Sequence, residues 1–297
     1  MKSQKKAYLF AFAAIGCWST IGSAFKISLK YLDPLGLLFF SSLVACLVLF
    51  SILLIQGKLV LLKSLSFKEV ILSAFLGLLN PFLYYIVLLK AYDLLQAQEA
   101  GTLNYIWPLF LVLLSIPMLK QKIGFASIFA IFISFFGIII ISTHPEMGIR
   151  PASLIQPDRL TGVVLAVGSA VFWALYWIFN IKDQREAVSK LFLNFCFGFL
   201  YTMIAIIMTG KYHLPDWQGF AGATYIGFFE MGITFVFWLN ALRFSATTAK
   251  VSNLIYLSPF ISLIIIHFVV REPILISTVI GLIFIIAGII LQQYLKR

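Results

Sequence analysis

The sequence predicts an all-α polytopic membrane protein of ten transmembrane helices, arranged as two inverted five-helix repeats. Three observations predict it: the composition, ten apolar runs of membrane length, and a five-and-five division of those runs with opposed charge. The 297 residues are 62% hydrophobic and 11% charged, against roughly 45–50% and about 25% in soluble domains. So few charges cannot wrap so large an apolar fraction, which excludes a soluble globular fold. The net charge of +11 would suggest nucleic acid in a soluble chain. Here no basic run interleaves with a polar surface, so no nucleic-acid partner is expected, and the cations read as topology signals between spans.

The apolar runs fall at Ala7–Ile27, Pro34–Ile55, Val70–Leu89, Glu99–Leu119 and Gly124–Ser142, then at Leu160–Ile181, Ser189–Thr209, Gln218–Leu242, Thr248–Val270 and Ile274–Leu291. Each can cross a hydrocarbon layer of about 30 Å as a helix, and none has the short alternation of a barrel strand. The first run follows Lys2, Lys5 and Lys6 like a signal peptide. Its length, Trp18, Lys26 and the nine similar runs behind it identify it as a retained helix. The polar stretch 143–159 is read as a periplasmic loop joining a first repeat, 1–142, to a second, 160–297.

A faint duplication supports that division. A shift of 151 lays Tyr105 on Tyr256, Pro108 on Pro259 and Gly137 on Gly288; 150 lays Asn80 on Glu230 and Ala91 on Ala241; 155 lays Trp18 on Trp173. Five spans per unit force the second copy to enter the membrane from the opposite side. With the N-terminus inside, 15 Lys and Arg fall on inner loops and 7 on outer ones. That bias predicts both termini in the cytoplasm. Inverted units meeting at a pseudo-two-fold axis predict a transporter with its site near the midplane.

Catalysis finds no footing. There is no G-x-x-x-x-G-K-[ST] loop. His144, His213 and His267 stand apart, and Cys17, Cys46 and Cys196 lie in apolar runs without a second ligand at metal spacing. We expect no enzyme, no metal and no cofactor, and read the cysteines as small buried hydrophobes. The polar residues inside the spans are more informative, because an ionised side chain at mid-bilayer costs ~2.5–3.5 kcal/mol. Helical spacing gathers them on faces: Trp18 and Ser19 with Gly22 and Lys26; Asn80 with Tyr84; Glu99, Asn104 and Trp107; Trp173 and Tyr176 with Trp177; Glu230, Thr234 and Trp238; Tyr256 and Pro259 with Asn253 at the edge.

Each has a plainer reading. Trp177 and Trp238 suit an interfacial belt, Glu99 could be solvated at the headgroups, and Glu230 could pair with Lys26 or Lys90. Serines, threonines and asparagines commonly only bond neighbouring helices. Pro108 and Pro259 kink two spans at matching repeat positions. The convergence of rings, amides and carboxylates suits a small amphipathic solute, whose ammonium group would meet Glu99 or Glu230.

The stretch Glu99-Ala100-Gly101-Thr102-Leu103-Asn104-Tyr105-Ile106-Trp107-Pro108, together with Cys17-Trp18-Ser19-Thr20, Leu257-Ser258-Pro259-Phe260 and Arg271-Glu272, resembles the EamA branch of the drug/metabolite transporter superfamily. The N-Y-x-W-P and W-S-T pieces also resemble its aromatic amino acid exporter subgroup (YddG). The resemblance implies a ten-helix exporter in the bacterial inner membrane, working on amino acids or related metabolites. A multidrug or cationic-compound exporter of the same superfamily is the alternative, and span one lacks the acidic residue such a pump would carry. Gln121 stands where the family often has an acid. The expected partners are a small-molecule substrate and the lipid bilayer, with the chain acting as a monomer. The expected substrate-binding residues are Trp18, Ser19, Asn80, Tyr84, Glu99, Asn104, Trp107, Trp173, Tyr176, Glu230, Trp238, Asn253 and Tyr256.

Overall fold

The computed structural model describes residues 3–120, 125–143, 157–210, 213–245, 251 and 253–295, without the side chains of 119, 125–128, 142, 143, 181, 253 and 292–295. All regular structure among them is helical. The first half opens with α1 (Gln4–Ser28) and α2 (Pro34–Ile55). The latter starts where Asp33 accepts from the Gly36 N–H at 3.1 Å and Pro34 takes the first helical position, both good start signals. A Ser66–Glu69 capping box begins α3 (Phe67–Gly77). It runs through a wide π-helical turn, Leu78–Leu83, into α4 (Tyr84–Leu94). Then come α5 (Ala97–Asn104), α6 (Trp107–Leu119) and α7 (Phe125–Thr143).

The second half has α8 (Pro157–Lys182) and α9 (Ala187–Thr209), then α10 (Trp217–Tyr225), which passes through a second π-helical turn, Ile226–Ile233, into α11 (Thr234–Phe244). A short 3-10 turn, Asn253–Tyr256, feeds α12 (Leu257–Val269), and α13 (Ile276–Leu295) closes the chain.

Seven of the described helical stretches are long and apolar enough to cross a membrane, among them the broken Phe67–Leu94 and Trp217–Phe244. Where the sequence expects spans five, nine and ten, the apolar helices Phe129–Ile141, Leu254–Val269 and Ile276–Leu291 are shorter. The third span outruns its expected limits, Val70–Leu89, because the capping box starts the helix at Phe67. Gln121 and His144, with Thr248 and Ser252 of the ninth span, lie outside the described residues. Large apolar side chains such as Leu9, Ile55, Ile207 and Met208 stand exposed around the bundle, as lipid-facing positions do.

Packing pairs the helices reciprocally. α1 packs on α11 and α12, as α8 packs on α4 and α6; α3 and the first π turn pack on α9, as α10 and the second π turn pack on α2. α2 meets α9, and α7 meets α13. In the last pair backbones nearly touch: a Cβ on Gly137 would lie 2.5 Å from the Gly281 carbonyl, and one on Gly281 2.8 Å from that of Gly137. Only glycine permits that approach.

Candidate functional site

A cavity opens between α1, α4, α5, α8, α12 and the second π turn, the kind of interior cleft between helices where small molecules bind. Six of the expected residues line it: Trp18, Tyr84, Asn104, Trp107, Trp173 and Glu230. Local structure explains their convergence. At Asn80 the backbone leaves the helix (φ −148°, ψ 120°) before Pro81, as a residue preceding proline tends to do. The helix resumes at Tyr84, whose ring lies 4.6 Å from that of Trp173. The Tyr84 hydroxyl donates to Asn104 Oδ1 at 3.3 Å, and Asn104 Nδ2 donates to Ser169 Oγ at 2.8 Å.

Glu230 comes from the second π turn, where the Thr234 hydroxyl turns back to the Phe229 carbonyl. The Tyr85 hydroxyl donates to Glu230 Oε1 at 2.9 Å, while Oε2 is buried with no hydrogen-bond partner. A carboxylate oxygen left unpaired in an apolar setting is costly, so this atom is the strongest ligand signal in the cavity.

The other expected residues sit elsewhere. Ser19 donates to Ile15 O at 2.7 Å and reaches the carbonyl and hydroxyl of Ser258 at 3.2 Å, joining α1 to α12. Glu99, 1% exposed, is held by Arg159 at 2.7 and 3.0 Å. Arg159 also donates to Ile141 O at 2.8 Å, so Glu99 faces a cation from 60 residues away in sequence rather than headgroups or the cavity. Asn80 and Tyr176 are wholly buried behind the wall. The Tyr176 hydroxyl faces the amides of Asn80, Asn180 and Asn194 but closes no hydrogen bond with them. Trp238 packs edge-on to Trp18 at 5.4 Å, and Tyr256 is buried in the hydrophobic core. The side chain of Asn253 lies outside the described residues.

Tyr92, Gly101, Ser258 and Ser262 also line the wall, beyond the expected binding residues. Tyr84, Leu88 and Tyr92 stand at i, i+4 and i+8, and that face is a signal the sequence offered. A Cβ on Gly22 would meet the Tyr92 hydroxyl at 3.2 Å, and one on Gly101 would meet it at 2.8 Å. The two glycines therefore make room for this phenol at the cavity's side.

The two ends of the cavity differ. Toward Ala97 and Ile266 it is bordered by polar backbone clamps. Lys26 Nζ donates to the carbonyls of Tyr92 and Leu95 at 2.8 and 2.6 Å. Glu272 accepts from the Ala97 and Gln98 N–H groups at 2.9 and 3.4 Å, a favourable placement for an acid at a helix start. Toward the other end Trp18, Trp238, Phe235 and Trp173 close the space with ring contacts of 5.4–6.4 Å. Beyond them lie the ion pairs Asp183–Arg185 and Lys58–Glu186, at 2.7 and 2.8 Å. Burial would raise both carboxyls, but hydrogen bonds and charge from Arg185 and Lys58 outweigh it and hold them below the usual range. No group of three or more His, Cys, Asp or Glu among the described residues is arranged to hold a metal.

The sequence profile of the EamA-like transporter family matches residues 5–143 and 160–292. The chain belongs to that family. It is 25% identical over 302 residues to an uncharacterized transporter of Clostridium kluyveri, covering 97% of this chain and 93% of the relative. It is 23% identical over 291 residues to the uncharacterized transporter YvbV of Bacillus subtilis, covering 97% and 91%. A solved crystal structure shares the fold at a TM-score of 0.68 and 21% identity, covering 99% of this chain and 98% of that one. This EamA-family chain is thus a multi-pass membrane transporter of the drug/metabolite superfamily, embedded in the lipid bilayer and acting on a small molecule.

Proposed function

We propose that this EamA-family transporter exports amino acids with aromatic or neutral side chains across the bacterial inner membrane. Two inverted five-helix repeats, 1–142 and 160–297 about a loop at 143–159, would alternate access to the cavity. Both termini lie in the cytoplasm on this reading, and the chain works as a monomer of the aromatic amino acid exporter type. The reciprocal helix packing and the two stretches matched by the family profile support the repeats.

The observation that carries the substrate reading is the unpartnered Oε2 of Glu230 on a wall of aromatic rings. The carboxyl would take the substrate's ammonium, the rings of Trp18, Tyr84, Trp107 and Trp173 its side chain, and Asn104 and Tyr92 its remaining polar groups. Ser19, Asn80, Glu99, Tyr176, Trp238 and Tyr256, with Asn253, then form the supporting shell of the site rather than its surface.

A second reading has a specific support: Glu230 is the charged side chain among the residues that line the cavity. One negative group without a cation balances an organic monocation better than a zwitterion. Counterflow into proteoliposomes separates the two. Radiolabelled phenylalanine and threonine should exchange above empty vesicles, whereas preference for phenylethylamine over phenylalanine would favour the cationic reading. Flux equal to empty vesicles for all three would sink both.

A further inference from the structure

α2 and α9 pack against each other, and two ring pairs fix their register. Phe39 meets Phe199 with centroids 5.0 Å apart, and Phe50 meets Phe192 at 5.9 Å. Numbers rise along α2 as they fall along α9, so the helices run antiparallel and the stretch between the two ring pairs forms the crossing. Cys46 and Cys196 lie in that stretch on the facing helices, close enough to influence each other electrostatically. Both are partly exposed free thiols. Small buried neighbours, Ser42 and Ala45 on α2 and Gly198 on α9, allow close approach of the two backbones.

One cysteine belongs to each half of the chain, on the two helices that pack across the crossing. A bond between them would join the two halves there.

We propose that Cys46 and Cys196 are a closable thiol pair, which a membrane-soluble two-electron oxidant converts to an intramolecular disulfide tying the two halves together. With diamide as oxidant, one thiolate adds to the N=N bond. The second thiolate then attacks the bound sulfur, forming S–S and releasing the hydrazine, which carries away both protons and both electrons. This inference does not depend on any substrate.

The test uses the full chain in lipid nanodiscs, treated with diamide, unfolded, and alkylated with a maleimide that adds a countable mass. Free thiols should fall from three to one in the native chain and from two to none in Cys17→Ser. Two should remain in Cys46→Ser. Non-reducing gels should show a monomer, and peptide mass spectrometry a link between the segments holding residues 46 and 196. Unchanged thiol counts after oxidation would overturn the pairing. So would a bond between two copies of the chain, or one that includes Cys17.

Discussion

The two halves of this transporter interrupt a helix at matching positions, at Asn80 in Phe67–Leu94 and around Glu230 in Trp217–Phe244, and the two interruptions are built differently. The first has a proline, a residue with extended backbone, and an amide buried among Tyr176, Asn180 and Asn194. The second has no proline; its π turn keeps helical backbone throughout and aims a carboxyl at the cavity. Such turns concentrate at functional sites. The comparison teaches that matching positions have divided their labour. One break shapes the wall by restarting the helix at Tyr84, and the other supplies its charge.

The largest test of that division is to change each side chain in turn. Glu230→Gln should lower exchange of the transported solute by 100-fold or more while the chain still folds, since the amide keeps the shape and loses the charge. Asn80→Gln should reduce exchange by less than about tenfold, because that amide does not reach the cavity. Proteoliposome exchange rates at matched protein levels read both. Equal losses would mean that the two breaks do the same work.

Much of this fold could be read from the sequence, and for a simple reason: lipid demands an apolar run for every crossing, so each crossing is written locally. The six wall residues recovered all carry rings, amides or acids on faces set by helical spacing. What could not be read depends on distant partners. Glu99 looks like a substrate ligand until Arg159 is seen beside it. Tyr176, one turn from Trp173, shares its face on paper, yet the helix turns it toward α9 and away from the cavity. Asn80-Pro81 announces a break in the sequence, whereas Ile226–Ile233 has no proline and its π turn is legible only in three dimensions.

Glycines seat the two breaks, and here they are alike. A Cβ on Gly198 would lie 2.3 Å from Pro81 Cγ, and one on Gly227 would lie 2.4 Å from the Ser41 carbonyl. Overpacking at such contacts costs about 1–3 kcal/mol. Gly198→Ala and Gly227→Ala should therefore each cost about 3 kcal/mol, read as lowered thermal midpoints in detergent. Gly168, with open space at its Cβ, should accept alanine without loss. A tolerant Gly198 together with a sensitive Gly227 would show that only the second break is tightly seated.

The smallest effect separates the phenols behind the breaks. The Tyr85 hydroxyl is bonded to Glu230 at 2.9 Å, while that of Tyr176 closes no bond. Removing a hydroxyl that satisfies a buried carboxyl leaves the acid wholly unpartnered, which costs about 1.5–3 kcal/mol. Removing one that makes no bond gives up little and takes away an unmet group. Tyr85→Phe should thus destabilise by about 2 kcal/mol, and Tyr176→Phe by no more than about 0.5 kcal/mol. Urea or thermal unfolding of the two single variants and the double reads both values, and the double should equal their sum if the two breaks are independent. A costly Tyr176→Phe would mean that the Asn80 side holds a closed polar network, and the contrast between a bonded and an unbonded break would fail.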